Sequence, residues 1–386
     1  MAKNIGLCIA YKNSNYGTLL QAFATQHIIE KLGCNTEIIN YVPGWDRGLI
    51  FSPESVVYEL IHKTKQKITS IKENKKEKTT VQVENIKQRN EIGSKFCKNH
   101  LHNIVRINGK SDLIRESRKY DVVMVGSDQM WDPTAGFFYF YSLMFVAEGV
   151  KRVSYATSLG VDRYPWYVYR QAKRFLKRID YLSVREKQGA EIIKKVSGRD
   201  AKVVLDPVYL ISKNEWETII PYQDNMNGEP YVLSYFLGDN PKMKKMAYEF
   251  AHKNGLKVIS ILSDEVLADD RNVTDYSLTN QTPEEFVNLI RNAEFIFTDS
   301  FHGFAFSVIN EKQVFVTYRV RKNLKSRNSR IDNILSLLSL EDRLIFANSD
   351  TKRLNNMIDY SCTTRKLVTL RDHSLFFLKT ALDVNN

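Results

Sequence analysis

Cysteine is scarce in this chain. Cys8, Cys34, Cys97 and Cys362 are the four among 386 residues, and none has the paired spacing of a zinc module or a redox dithiol. Reduced, structural thiols are therefore expected, and neither a metal nor a cofactor. Long apolar runs are missing as well. No stretch approaches the roughly 18 apolar residues of a membrane-spanning helix. Met1-Ala2-Lys3-Asn4 leads straight into a strand-like run rather than a signal peptide, so a cytoplasmic protein is expected. The sequence shows no internal repeat and no low-complexity tract. Acidic residues are in deficit, 44 against 56 lysines and arginines, a formal charge of +12. That excess favours an anionic partner: nucleic acid, an acidic membrane surface or a phosphorylated small molecule. Nucleic acid is disfavoured, because the charge is scattered and no nucleic-acid module is recognisable.

What is present is 43% apolar and 26% charged, in a chain long enough for about two domains with full cores. Ile5 to Ala10 reads as a buried strand, Thr18 to Leu32 as an amphipathic helix, and Glu37 to Asn40 as a second strand. Gly33 stands where a helix C-terminal cap belongs. The polar loop Tyr11 to Gly17 occupies the usual place of a ligand loop in a parallel sheet, so Asn15 and Gly17 are candidates for ligand contact, or plain turn residues. Val56 to Glu91 has helical periodicity, with seven lysines against Glu73 and Glu77 between Lys63 and Lys78. A solvated helical face and a membrane-binding helix both fit that segment.

Three more apolar runs, Val122 to Val125, Arg152 to Tyr155 and Leu182 to Val184, end in the polar clusters Gly126-Ser127-Asp128-Gln129, Ala156-Thr157-Ser158 and Arg185-Glu186. As parallel strands they would deliver these residues to one crevice. Lys202 to Leu205 is a further strand, after which the pattern loosens from Lys213 to Pro230. Alternation restarts with Tyr231 to Phe236, a helix over Lys242 to Lys253 and Leu256 to Leu262. Thr282-Pro283-Glu284-Glu285 is a capping box with proline at the first helical position. The expectation is an α/β protein with a first domain over 1–213, a connector over 214–230 and a second domain over 231–365. A helix over 366–386 would dock back on the first domain.

The most informative segment is Phe295-Ile296-Phe297-Thr298-Asp299-Ser300-Phe301-His302-Gly303. It sets a histidine in the first turn of a helix capped by Ser300, at the end of a buried strand. Unpaired amides and the helix dipole gather there, so an anion can dock and the imidazole is biased toward neutral. His302 either handles protons or merely caps and packs. Asp299, Ser300 and His302 do not form a triad, since residues one or two apart at a helix start do not face each other. Downstream of Gln313 to Tyr318, the cluster Arg319, Arg321, Lys322, Lys325, Arg327 and Arg330 is either an anion clamp or a solvated loop.

Asn15 to Ala24, Val125 to Trp131, Ser183 to Glu186, Leu205 to Pro207 and Thr298 to Gly303, in that order along residues 5–345, resemble the motifs of the polysaccharide pyruvyl transferase family. The resemblance implies two Rossmann-like domains facing across a cleft, similar to GT-B glycosyltransferases. It implies transfer of an enolpyruvyl-derived group from phosphoenolpyruvate to sugar hydroxyls, with a pyruvate ketal formed and phosphate released, in capsule or exopolysaccharide synthesis. Arg185 and His302 fall on family positions implied to hold the donor, and the backbone donors of the helix start from Ser300 to Gly303 suit the charge of such a donor. His302 is the candidate acid or base, or the group that stabilises the departing phosphate, and Asp128 would orient or deprotonate the acceptor hydroxyl or else cap its own turn. Asn15, Gly17, Ser127, Arg319 and Arg321 are candidates for acceptor or phosphate contact. Arg185 with Glu186 also fits a structural ion pair. Such acceptors are often lipid-linked, which implies peripheral contact with the inner membrane face. The same fold also suits a nucleotide-sugar glycosyltransferase, and the charge alone would suit a non-catalytic polyanion binder.

Overall fold

Two sets of hydrophobic strands, each alternating with helices, close into two parallel sheets of identical strand order. The computed structural model describes residues 2–12, 14–43, 80–133, 138–224, 226–262, 272–319 and 328–384. The first sheet runs β3-β2-β1-β4-β5, from β1 (Asn4–Cys8), β2 (Asn35–Val42), β3 (Ile104–Asn108), β4 (Val122–Val125) and β5 (Lys151–Ser154). It is extended by β6 (Ser183–Val184) and β7 (Lys202–Val203) through the single bridges Val153 to Tyr181 and Thr157 to Val184. The second sheet runs β10-β9-β8-β11-β12, from β8 (Tyr231–Tyr235), β9 (Lys257–Ile261), β10 (Tyr276–Leu278), β11 (Phe295–Thr298) and β12 (Gln313–Val316). In each, the order reverses beside the first strand. The crevices beyond β1 and β4, and beyond β8 and β11, are therefore where ligands of such sheets bind.

Besides a single turn at Phe138–Tyr141, the α-helices described are α1 (Tyr16–Lys31), α2 (Thr80–His100), α3 (Gly109–Ser117), α4 (Tyr169–Arg178), α5 (Lys187–Ser197), α6 (Lys213–Ile219), α7 (Pro241–Lys253), α8 (Pro283–Asn292), α9 (Phe301–Ile309), α10 (Ser329–Leu338) and α11 (Tyr360–Leu382). Asn15 caps α1 by accepting from the Thr18 amide, and Gly33 follows its end at φ 84°, a conformation that glycine adopts without strain. Thr282 and Glu285 exchange both bonds of a capping box at the start of α8. None of the described helices is long and apolar enough to cross a membrane.

Instead of the one-faced helix expected, α1 is buried on nearly all sides, because it lies between the halves. Tyr16 stacks on Phe286 at 4.9 Å, and one hydrophobic cluster runs from Ile5 through α1 into Phe286, Phe304 and Phe306. Its polar residues are satisfied locally. Gln21 donates to the Ala10 carbonyl, Thr25 to the Gln21 carbonyl, and Gln26 to Thr36 and the His102 carbonyl. The connector is also more ordered than its composition suggests. Ser212 caps α6, and Trp216 is buried against Phe23 at 5.8 Å and Phe306 at 5.1 Å. The closing helix α11 begins at Tyr360 and packs on the first half. Ser374 accepts from the Leu205 amide at 3.0 Å, Arg371 donates to the Tyr209 carbonyl at 2.8 Å, and Asp383 pairs with Lys3 and Lys151. The lysine-rich segment between Lys63 and Lys78 lies outside the described residues, as do Arg321, Lys322, Lys325 and Arg327.

Candidate active site

The two crevices meet at one buried constellation, whose centre is Asp206. Its Oδ2 accepts from Arg185 Nη1 at 2.7 Å and from Ser127 Oγ at 2.6 Å, and lies 3.7 Å from His302 Nε2. Arg185 and Ser127 come from the first half and His302 from the second, so one carboxylate oxygen joins them. Burial raises the pKa of Asp206, but the His302 imidazole, the Arg185 guanidinium and the Ser127 hydroxyl outweigh it and hold the carboxyl well below its usual range.

Arg185 does not reach out as a donor clamp. Its side chain is 1% exposed, with Asp206 at 2.7 Å, Asp128 at 3.3 Å and Glu186 at 3.9 Å, and its guanidinium carbon lies 4.8 Å from the centroid of the Phe301 ring. Burial lowers its pKa, and the three carboxylates more than compensate. Ser127 is likewise fully buried, within the wall rather than on its surface. Glu186 accepts from Ser158 Oγ and the Leu159 amide, and burial raises its pKa despite Arg185.

Asp128 sits on the rim with its side chain 22% exposed. Its backbone is left-handed at φ 77°, strained for a residue with a side chain, and is held there by Met130 and Ser158 amides donating to its carbonyl. Its carboxylate accepts from Thr18 Oγ1, the Gln129 amide and Arg185 Nη2. Burial is overcome by the charges of Arg185, His302 and Arg330, which lower its pKa. A carboxylate so stabilised is a weak base, suited to orienting a hydroxyl rather than deprotonating it.

On the opposite wall, Thr298 Oγ1 donates to the Tyr235 carbonyl and accepts from the Ser300 amide, while Ser300 Oγ accepts from the Gly303 amide. The amides of Phe301 and His302 have no acceptor among the described residues, leaving two donors at the start of α9. Asp299 is a loop organiser, accepting from the Leu237 and Gly238 amides and Asn240 Nδ2. Gly17 lies against the imidazole, where a Cβ would overlap His302. Asn15 acts as the α1 cap, and Arg319 lies 3.8 Å from Asp299.

Arg330, at the start of α10, belongs to this site although the sequence offers it only as one of a cluster of cations. Its guanidinium lies 5.9 Å from the Phe301 ring, and its Nε is buried without a hydrogen-bond partner. Burial, then the like charges of Arg185 and Arg319, bring its pKa down to about 9. His302 Nε2 is also buried and makes no hydrogen bond, with Asp206 Oδ2 3.7 Å away. Guanidinium nitrogens of Arg185 and Arg330 without a hydrogen bond and two unpaired amides thus gather around Phe301, an electrostatic setting that an anion would relieve. No three histidine, cysteine or acidic side chains among the described residues are grouped to hold a metal ion. A separate cavity of about 640 Å³ opens beside the loop after β1, lined by Tyr11, Lys12, Asn40, Asn90, Lys98 and His102.

Paired Rossmann-like sheets with the site at their seam define an α/β protein of GT-B type. Solved structures share that fold at low identity. A UDP-GlcNAc 2-epimerase from Neisseria meningitidis, solved with UDP-GlcNAc, aligns at TM-score 0.52 and 11% identity, covering 100% of this chain and 95% of that one. The UDP-GlcNAc 2-epimerase of Methanocaldococcus jannaschii aligns at TM-score 0.50 and 13% identity, covering 92% and 91%. No curated protein matches the sequence. The family model of polysaccharide pyruvyl transferase matches residues 15–319, and the chain belongs to that family of transferases.

Proposed function

We propose that the protein transfers the enolpyruvyl-derived group of phosphoenolpyruvate to hydroxyls of a saccharide, forming a pyruvate ketal and releasing phosphate. The observation that carries this reading is the anion site around Phe301: Arg330 Nε and the amides of Phe301 and His302, which make no hydrogen bond among the described residues, with the His302 imidazole beside them. Phosphoenolpyruvate is a small, multiply charged anion that matches these donors in number and sign. Arg330 takes the role of direct cation, and Arg185 fixes the Asp206 and Asp128 carboxylates from within the wall.

The methylene carbon of the donor takes up a proton from His302, a sugar hydroxyl adds to the neighbouring carbon and returns its proton to His302, and the C–O bond to phosphate breaks as phosphate leaves. A second hydroxyl then closes the ketal, and its proton leaves with the phosphate or to the site. His302 is the proton-carrying group, positioned by Asp206, and Asp128 orients the attacking hydroxyl. The amide-rich cavity between Asn40 and Lys98 would take the rest of the acceptor. We place the reaction in capsule or exopolysaccharide synthesis, with a lipid-linked acceptor at the cytoplasmic membrane face.

Phosphate release from phosphoenolpyruvate, measured with purified enzyme and lipid-linked glycan acceptors, tests the reading. His302→Ala is expected to lower turnover by about 10²–10⁴-fold. Arg330→Ala is expected to raise the donor KM at least about tenfold, with Arg330→Lys recovering part of the loss. Phosphoenolpyruvate should raise the melting temperature and UDP-GlcNAc should not. Stabilisation by the nucleotide sugar alone would favour a glycosyltransferase instead.

A further inference from the structure

The outward face of α4 carries charge of one sign. Ala172, Phe175 and Leu176 are buried, whereas Arg170, Lys173, Arg174 and Lys177 are exposed at the i, i+3, i+4 and i+7 positions of one stripe. The helix contains no acidic residue, and Lys173, Arg174 and Lys177 make no ion pair among the described residues. Just ahead of it, in a short 3-10 turn over Trp166–Val168, Trp166 is 82% exposed, more than any other large apolar side chain described. An indole beside lysine and arginine is the composition of a membrane-interface belt, apolar body inward and cations at the phosphates. Parallel connection from β5 places the start of α4 on the same edge as the carboxyl ends of the strands. Gly160, in the loop leading to Trp166, packs against Gln129, the neighbour of Asp128.

We propose that Trp166 and the basic stripe of α4 form a docking surface for an anionic lipid bilayer. The indole sits at headgroup level, the stripe lies over acidic phosphates, and the rim bearing Asp128 is turned toward the membrane. Because the apolar side of α4 belongs to the protein core, the helix rests on the bilayer and does not insert. A single aromatic offers no platform for stacking successive bases, which disfavours a nucleic acid on this face. The surface sharpens the membrane location proposed above, yet its test reads binding and not turnover, so the two readings fail separately.

The full chain is to be cosedimented with vesicles of phosphatidylglycerol and phosphatidylcholine, and with phosphatidylcholine alone. Binding is expected to the acidic vesicles only, with a blue shift of tryptophan emission that Trp166→Phe abolishes. The triple variant Lys173→Glu, Arg174→Glu, Lys177→Glu should bind at least about 100-fold more weakly, since each cation near an acidic leaflet contributes about fivefold. Melting temperature and phosphate release with a soluble acceptor should match wild type in both variants. Absence of binding to acidic vesicles, undiminished binding by the triple variant, or an unchanged emission would overturn the proposal. So would stripe-dependent retention on duplex DNA stronger than on the vesicles.

Discussion

Asparagine in place of Asp206 would keep an acceptor for Ser127 and for the Val208 amide but remove the charge facing Arg185, which is almost entirely buried. Arg185 would keep Asp128 at 3.3 Å and Glu186 at 3.9 Å, so the loss stays below the roughly 3–5 kcal/mol of a wholly uncompensated buried charge, and the variant should still unfold at lower denaturant than wild type. The same carboxylates set the acid limit of the fold. Asp206 and Asp128 are both held below their usual values in the folded state, so their stabilisation is fully present above the unfolded carboxyl range and is lost as pH falls. Melting temperature should therefore hold near neutrality and decline below about pH 4, with a shallower decline in Asp206→Asn. An equally steep acid limb in that variant would move the titrating groups elsewhere. Asp206 is legible only as the middle of the Leu205-Asp206-Pro207 motif, with no role attached, because its partners Ser127, Arg185 and His302 are distant in sequence. Arg330 stayed hidden among neighbouring cations for the same reason, whereas His302 and Asp128 stand directly after strands, where the chain itself marks a ligand edge.

The elements legible in the sequence are those whose cause is local. β1, β4, β8 and β11 are continuous apolar runs, and α8 announces itself by its capping box. The edge strands β3 and β10 are half exposed and short, so no apolar run marks them. α6 exists because Trp216 packs against aromatic rings from both halves, a contact invisible before folding. α1 presents the sharpest test at this scale. Its Gly17 faces the His302 imidazole, so Gly17→Ala should cost about 1–3 kcal/mol by overpacking and displace the ring, lowering turnover. In a His302→Gly background all three imidazole-side atoms that meet the added methyl are gone, Cβ included, and most of that stability cost should vanish. Additive losses in the double variant would show that the two positions do not touch.

At the scale of the molecule, the halves share a core. Phe286 lies between Tyr16 at 4.9 Å and Tyr235 at 5.0 Å, and Phe286→Ala should cost about 3–5 kcal/mol. Wild type should unfold in one calorimetric transition, and the variant should separate into two if this aromatic stack couples the halves. A wild-type chain already melting in two steps would contradict that coupling. The path of the backbone adds a mechanical consequence. It leaves the first half through the segment before β8 and returns ahead of α11, whose far end is fastened by Asp383 to Lys3 and Lys151. Two bodies tethered at two points swing about the line between them and resist sliding. Any parting of the halves would therefore run as a rotation about one pivot, and it would separate His302 from Asp206 and Arg330 from Asp128 in a single stroke.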